Sequence, residues 1–371
     1  MNFRIRGLLC GLVSFAFILS SASFAEMRDI VIPNYDAWVN SPHADIEGEP
    51  FTHWDEEDDK MVEEHCAACH STTGHLDFLG ADGSTPHKVD AKAPGREGVQ
   101  CTACHNRVAS HLEEITFPSG QTVERFEADA RCMDCHQGRE SGASVTKMIV
   151  AAGVDDDTVS KDVKFLNVHY AAAAATRFGT EAGGGYEYEG MDYSGLHYHD
   201  DFATQCNDCH NPHSLKISVK FCTECHEDVK SKDDWAMIRD EETEGDFDAN
   251  GVETGIKTEV ENMHIALLKA MQDYASQVLG SSINYDGHHY PYFFADPNGN
   301  GVVDDGEAVR ANMFKQWTPR LAKAAYNYQF VAKDKGAWVH NGQYVLQLLN
   351  DSIQDLGKKV AVPATMRPEP F

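Results

Sequence analysis

CAACH at residues 66–70 returns as CTACH at 101–105, CMDCH at 132–136, CNDCH at 206–210 and CTECH at 222–226. Of the 11 cysteines in the chain, all but Cys10 fall in these five Cys-x-x-Cys-His units. Ten paired cysteines in an exported chain would ordinarily suggest disulfides, but a disulfide framework gives no reason for a histidine after each pair. Structural zinc wants four Cys/His ligands around one ion and does not require His directly after the second Cys. Covalent haem does: two thiols three residues apart add to the two vinyl groups of one porphyrin, and the adjacent imidazole reaches the iron. The spacing therefore implies five covalently bound haem c groups. They would be held by Cys66, Cys69 and His70; Cys101, Cys104 and His105; Cys132, Cys135 and His136; Cys206, Cys209 and His210; and Cys222, Cys225 and His226.

Ahead of the motifs, residues 1–25 carry Arg4 and Arg6, an apolar run from Leu8 to Leu19 and small residues up to Ala25. This reads as a secretory signal peptide cleaved after Ala25, because the run is shorter than the roughly 20 apolar residues of a spanning helix. A periplasmic or extracellular protein without stable membrane insertion is expected. Its formal charge is −28 at pH 7, and two of its positive charges would leave with the signal. Such a surface repels nucleic acid and anionic lipid and favours basic partners.

Each motif supplies one axial histidine, and fourteen further histidines lie outside the motifs, enough for five bis-histidine irons. His43 in AWVNSPHAD, His169 in FLNVHYAAAAA, His199 in LHYHD and His213 in CNDCHNPHS are the candidate distal ligands. His213 is too close to His210 to turn back onto the same iron but can serve a neighbour. His340 precedes the last helical segment, either as a distal ligand tying two halves together or as a buried structural histidine. Met148, Met191 and Met263 could replace histidine at an iron, although a methionine on an apolar face more often fills core.

The motif starts are separated by 35, 31, 74 and 16 residues. The shortest interval predicts that motifs four and five lie closest, as a stacked pair. The intervening chain is rich in Gly, Pro, Asp and Thr with little periodicity, and residues 179–195 (GTEAGGGYEYEGMDYSG) read as a small hairpin or irregular loop. After an acidic linker the pattern turns helical over 255–280, 318–336 and 341–357. Val260, Met263, Leu267, Leu268 and Met271 share one face of the first segment, Pro319 opens the second and Asn341 caps the third. The expected fold is mainly α with much irregular loop. A multihaem cytochrome c domain (26–235) would wrap around covalent haems, followed by a haem-free C-terminal helical bundle (236–371).

Between the first two helices, DPNGNGVVDDGE places Asp296, Asn298, Asn300, the Val302 carbonyl, Asp304 and Glu307 at the ligand positions of an EF-hand calcium loop, with Gly301 at the sharp turn. AVRANMFKQW after it reads as the exiting helix, and a structural Ca2+ is expected. DFDANGVETGIK at 246–257 begins the same way but has Lys257 where the last carboxylate belongs, which leaves calcium there open.

With these motifs in place, SPHAD, NVHYAAAAAT, GGGYEYEG, CNDCHNPHSL and TPRLAKAAYNYQFVAKDKGAWVHN make the chain resemble exported multihaem c-type cytochromes of respiratory bacteria, in which a multihaem half precedes a helical half. The resemblance implies electron transfer between redox partner proteins, and His43, His169, His199, His213 and His340 as distal ligands, with His53 and His111 as substitutes. The final helices are also similar to those of pentahaem nitrite reductases. Those enzymes bind the catalytic haem through a CxxCK lysine, whereas all five motifs here end in histidine, which argues against ammonia-forming nitrite reduction. The expectation is a bis-histidine electron carrier rather than an enzyme. Two alternatives stand beside it. One is a reductase or dehydrogenase with one open iron acting on a small nitrogen or sulfur species, using His53, His288 or His289 with Tyr290 and Tyr292. The other is a protomer of a conducting homo-oligomeric assembly.

Overall fold

The computed structural model describes residues 31–124, 128–199, 203–239 and 244–370, so the signal peptide expected at 1–25 lies outside the described residues. The C-terminal third is built on three long helices, Ile256–Leu279, Pro319–Lys333 and Ala337–Gly357. Their sequences explain their limits. Gly280 closes the first helix at φ 63, a left-handed position that glycine takes without a Cβ penalty. Pro319 sits in the first turn of the second, where its missing N–H costs nothing, and the Thr318 hydroxyl accepts from Leu321 N at 3.2 Å. In the third, Asn341 leaves helical geometry and its side-chain oxygen accepts from Tyr344 N at 3.0 Å. A short first turn carrying His340 is thereby kinked away from the long remainder.

The helices bury Val260, Met263, Leu267 and Met271, spaced three and four apart, against Leu321, Val345, Leu349 and Ile353. Between the first two helices the antiparallel hairpin Ile283–Tyr285/Phe293–Ala295 adds Phe293, which packs edge-on against Trp317.

Residues 31–235 have shorter elements: helices of one to three turns and two further two-stranded hairpins, Met61–Val62/Ala93–Pro94 and Glu114–Thr116/Thr122–Glu124. A chain this irregular must satisfy its backbone polar groups by other means, and buried side-chain amides of the long helices do so. Gln329 accepts from Val168 N (3.0 Å), Asn327 from Tyr186 N (2.7 Å) and Gln347 from Ser194 N (2.8 Å), while Asn341 donates to Gly195 O (2.9 Å). The stretch 183–195 contains no strand and runs as an irregular loop held by these amides. Gly179 at its edge has φ 50, and a Cβ there would lie 2.2 Å from Ser194 O, so the close approach needs glycine. Apolar contacts also cross residue 235, with Ala175, Phe178 and Tyr193 packed among Tyr326, Phe330, Tyr344 and Leu348.

Candidate haem-binding centres

Each Cys-x-x-Cys-His unit closes as one helical turn. His105, His136, His210 and His226 donate their backbone N–H to the carbonyl of their own first cysteine at 2.8, 3.0, 2.9 and 2.9 Å, and His70 ends the helix Glu64–His70. A single turn brings residues three apart to the same side, so both thiols of a motif face one way and the histidine follows them. All ten described cysteines are free.

The five motif histidines each face a different histidine from elsewhere in the chain. Ring centres are 5.7 Å apart for His70 and His169, 6.0 Å for His105 and His213, 6.3 Å for His136 and His43, 6.4 Å for His210 and His340, and 6.1 Å for His226 and His199. The His70 and His169 Nε2 atoms point at each other across 3.4 Å. Backbone carbonyls steer the proximal rings: Pro50 O accepts from His70 Nδ1 at 2.8 Å, and the main chain of Ala171 and of Leu215 bonds His136 and His210. Each such bond leaves the opposite nitrogen free to ligate.

Burial, assisted by the neighbouring His136, lowers His43 to about 4, and burial with His70 lowers His169 to about 4. His70, His136 and His210 are lowered by burial as well. These rings stay neutral and keep a lone pair at physiological pH. For His340, burial pulls the same way, but the Asp334 carboxylate outweighs it and raises the pKa.

Motifs far apart in the chain meet through their thiols. The Cys135 thiol of motif three is hydrogen-bonded with Cys69 of motif one, and Cys132 with Cys206 of motif four. Motif three also lies within electrostatic reach of motif two through Cys104 and Cys132, as motif four does of motif five through Cys209 and Cys222. Motif three therefore adjoins three others, a junction that the 16-residue interval between motifs four and five does not foretell.

The substitutes named from resemblance lie elsewhere: His53 Nδ1 bonds Glu49 on the surface, and His111 Nδ1 bonds the Arg107 carbonyl. His289 pairs with Asp286 at 2.9 Å, and Tyr290 is exposed. Tyr292 meets the Tyr170 hydroxyl at 3.3 Å, with the Lys333 ammonium 3.7 and 3.9 Å from the Tyr170 and Tyr292 ring centres. Met263 is fully buried core and Met191 is exposed, while Met148 packs against the apolar clusters.

In the calcium-type loop, Asp296 accepts from Gly299 N and Gly301 N, both at 2.8 Å, and Asn298 and Asn300 converge on Asp304 Oδ2 at 2.6 and 2.8 Å. Asn284, which sequence reasoning did not single out, donates to Glu307 Oε2 (2.9 Å) and to Val302 O (3.1 Å). The expected exiting helix is absent. Only Arg310–Asn312 forms a single 3-10 turn, because Asn312 donates to Ala295 O and Glu307 O and Met313 bridges to Phe294, which fold the segment back along the hairpin. At the second loop, Lys257 turns to Glu261, and the buried Glu259 from the next helical turn stands beside Asp246 and Asp248 instead. Glu259 is already bonded by Arg239 at 3.1 Å and by Thr254.

No family model and no solved structure matches the chain. It is 25% identical over 407 aligned residues to the C-type polyheme cytochrome OmcC of Geobacter sulfurreducens, covering 91% of this chain and 47% of OmcC. It is 27% identical over 327 residues to the C-type polyheme cytochrome OmcB of the same species, covering 78% of this chain and 37% of OmcB. The chain is thus a distant homologue of polyhaem c-type cytochromes, a relation that supports the multihaem cytochrome class. It spans about half the length of these relatives or less. Among the described residues, no helix is long and apolar enough to cross a membrane.

Proposed function

We propose that the chain is an exported pentahaem c-type cytochrome that passes single electrons between respiratory redox partners, with every iron held by two histidines. The observation that carries this reading is the one-to-one facing of five motif histidines with five others. Two imidazoles that bind one metal from opposite sides, with bonds of about 2 Å, hold their ring centres roughly 6 Å apart, and the five pairs span 5.7–6.4 Å. The ten unpaired thiols, two beside each proximal histidine, complete a donor set suited to haem c.

Haem c, when bound, supplies a one-electron iron couple. The chain's own residues do the rest. Cys66 and Cys69, with their counterparts in the other motifs, fix each porphyrin edge. His43, His169, His199, His213 and His340 would hold the irons beside the motif histidines and leave no position for substrate. The Pro50, Ala171 and Leu215 carbonyls hold the proximal rings in place, and Trp54 packs edge-on against His70 at 5.4 Å to exclude water. The juxtaposition of motif three with its neighbours in the fold supplies the closeness that relay between centres requires. A Ca2+ held by Asp296, Asn298, Asn300, Val302 O, Asp304 and Glu307 would brace the hairpin, and the net charge of −28 would select a basic partner surface.

Pyridine haemochrome quantification combined with intact mass of the exported protein tests the reading. Five haems per chain are expected, and fewer than five, or haem removable by acid acetone, would overturn it.

A further inference from the structure

His340 differs from the proximal rings in what holds its outer nitrogen. Where Pro50, Ala171 and Leu215 offer neutral carbonyls to His70, His136 and His210, His340 Nδ1 donates to both oxygens of a carboxylate, Asp334, at 2.9 and 2.8 Å. The Asp334 side chain is 3% exposed. It is fixed from two other directions: Oδ1 accepts from Gly336 N at 3.0 Å, and its carbonyl accepts from Ala337 N at 3.0 Å. The His340 ring packs against Gly336, where a Cβ would come 2.7 Å from Cε1, so this close approach needs glycine. Arg177, the cation within electrostatic range of His340, is itself paired with Asp129 at 2.7 Å.

We infer that Asp334 is a positioning residue that gives the His210/His340 centre the lowest reduction potential among the centres whose ligands rest on carbonyls. A charge-assisted hydrogen bond is roughly twice as strong as a neutral one, and a carboxylate on the outer nitrogen makes the imidazole a stronger donor to its metal. The ferric iron carries one more positive charge than the ferrous, so both the better donor and the buried negative charge favour it. Motif four contacts motif three through Cys206 and lies beside motif five through Cys209. The lowered potential therefore stands between motif five and motif three.

This inference rests on the bis-histidine reading above, and the test separates the two. Spectroelectrochemical titration of the full holoprotein is compared between wild type, Asp334→Asn, which keeps the shape and the acceptor but removes the charge, and Asp334→Glu, which keeps the charge. In Asp334→Asn, one of the five potentials should rise by at least a tenfold change in the ferric-over-ferrous ratio, about 59 mV for one electron, with five haems still bound and all low-spin. In Asp334→Glu the same potential should stay closer to the wild-type value than in Asp334→Asn. Unchanged titrations in a five-haem, low-spin protein would overturn the role of Asp334 while leaving the bis-histidine reading intact. Should Asp334→Asn instead leave one iron high-spin, the carboxylate merely holds the ring and the inference about its potential fails. A wild-type protein that fails to bind five low-spin haems would sink the underlying reading itself.

Discussion

His213 lies three residues beyond His210, yet its ring is parallel to that of His105 at 6.0 Å. The turn responsible is short: Asn211 Oδ1 accepts from His213 N and Ser214 N, and Leu215 adopts φ 59, so the chain doubles back and turns the side chain outward. Because this loop carries little packing, His213→Ala should leave the fold intact and open one iron. The reduced variant should bind carbon monoxide at one haem in five, and a variant that binds none would mean that His213 does not ligate. The proximal residues are legible in the sequence because both thiols and the imidazole come from one turn of chain. Which histidine faces which motif is not, since the pairs join residues as far apart as His210 and His340 or His70 and His169. Asp334 carries no signal either: an Asp between two lysines reads as a surface residue until the turn buries it.

At the scale of elements, the long helices act as donors and acceptors as much as apolar surfaces. Asn327 holds both Tyr186 N (2.7 Å) and Tyr186 O (2.9 Å) and also meets Ser352 at 3.0 Å. Asn327→Ala strands these groups in the interior and should cost about 1–3 kcal/mol, read as a lower denaturation midpoint with an unchanged visible spectrum. The helical periods of 255–280, 318–336 and 341–357 were readable because an apolar stripe must face a core. The segment after the calcium-type loop was not, because AVRANMFKQW is composed like a helix and only the pairing of Asn312 and Met313 with the hairpin keeps it extended. Calcium binding should appear as linkage. Chelation lowers the unfolding temperature, reflecting a stability loss near 2.7 kcal/mol when calcium had stood at about 100 times its dissociation constant. Glu307→Gln should abolish that dependence, and a wild-type midpoint indifferent to chelator would remove calcium from the account.

Over the whole molecule, segments distant in sequence are tied by a buried ion network. Arg320 meets Asp157 at 2.7 Å and Asp355 at 2.5 Å, and Lys359 adds to Asp157 at 2.9 Å. Hydrogen bonding from Arg320, then from Lys359 and Tyr274, holds the Asp157 carboxyl well below its ordinary 3.8. The native state thus binds fewer protons there than the unfolded chain. This contribution is complete above pH 3.8 and is lost as the pH falls below it. Acid titration of the unfolding midpoint should show this decline, shallower in Asp157→Asn. The order of five short motifs followed by three long helices was visible in the sequence. The way that loops of the first part take their hydrogen bonds from helices of the second was not, because buried Asn and Gln on a helix carry no periodic signature.

Electron paramagnetic resonance of the air-oxidised protein tests the bis-histidine reading most directly. Five haems, all low-spin and unmoved by added nitrite or hydroxylamine, are predicted. A high-spin signal amounting to one haem in five that shifts with either addition would contradict it and put an open, substrate-binding iron in its place.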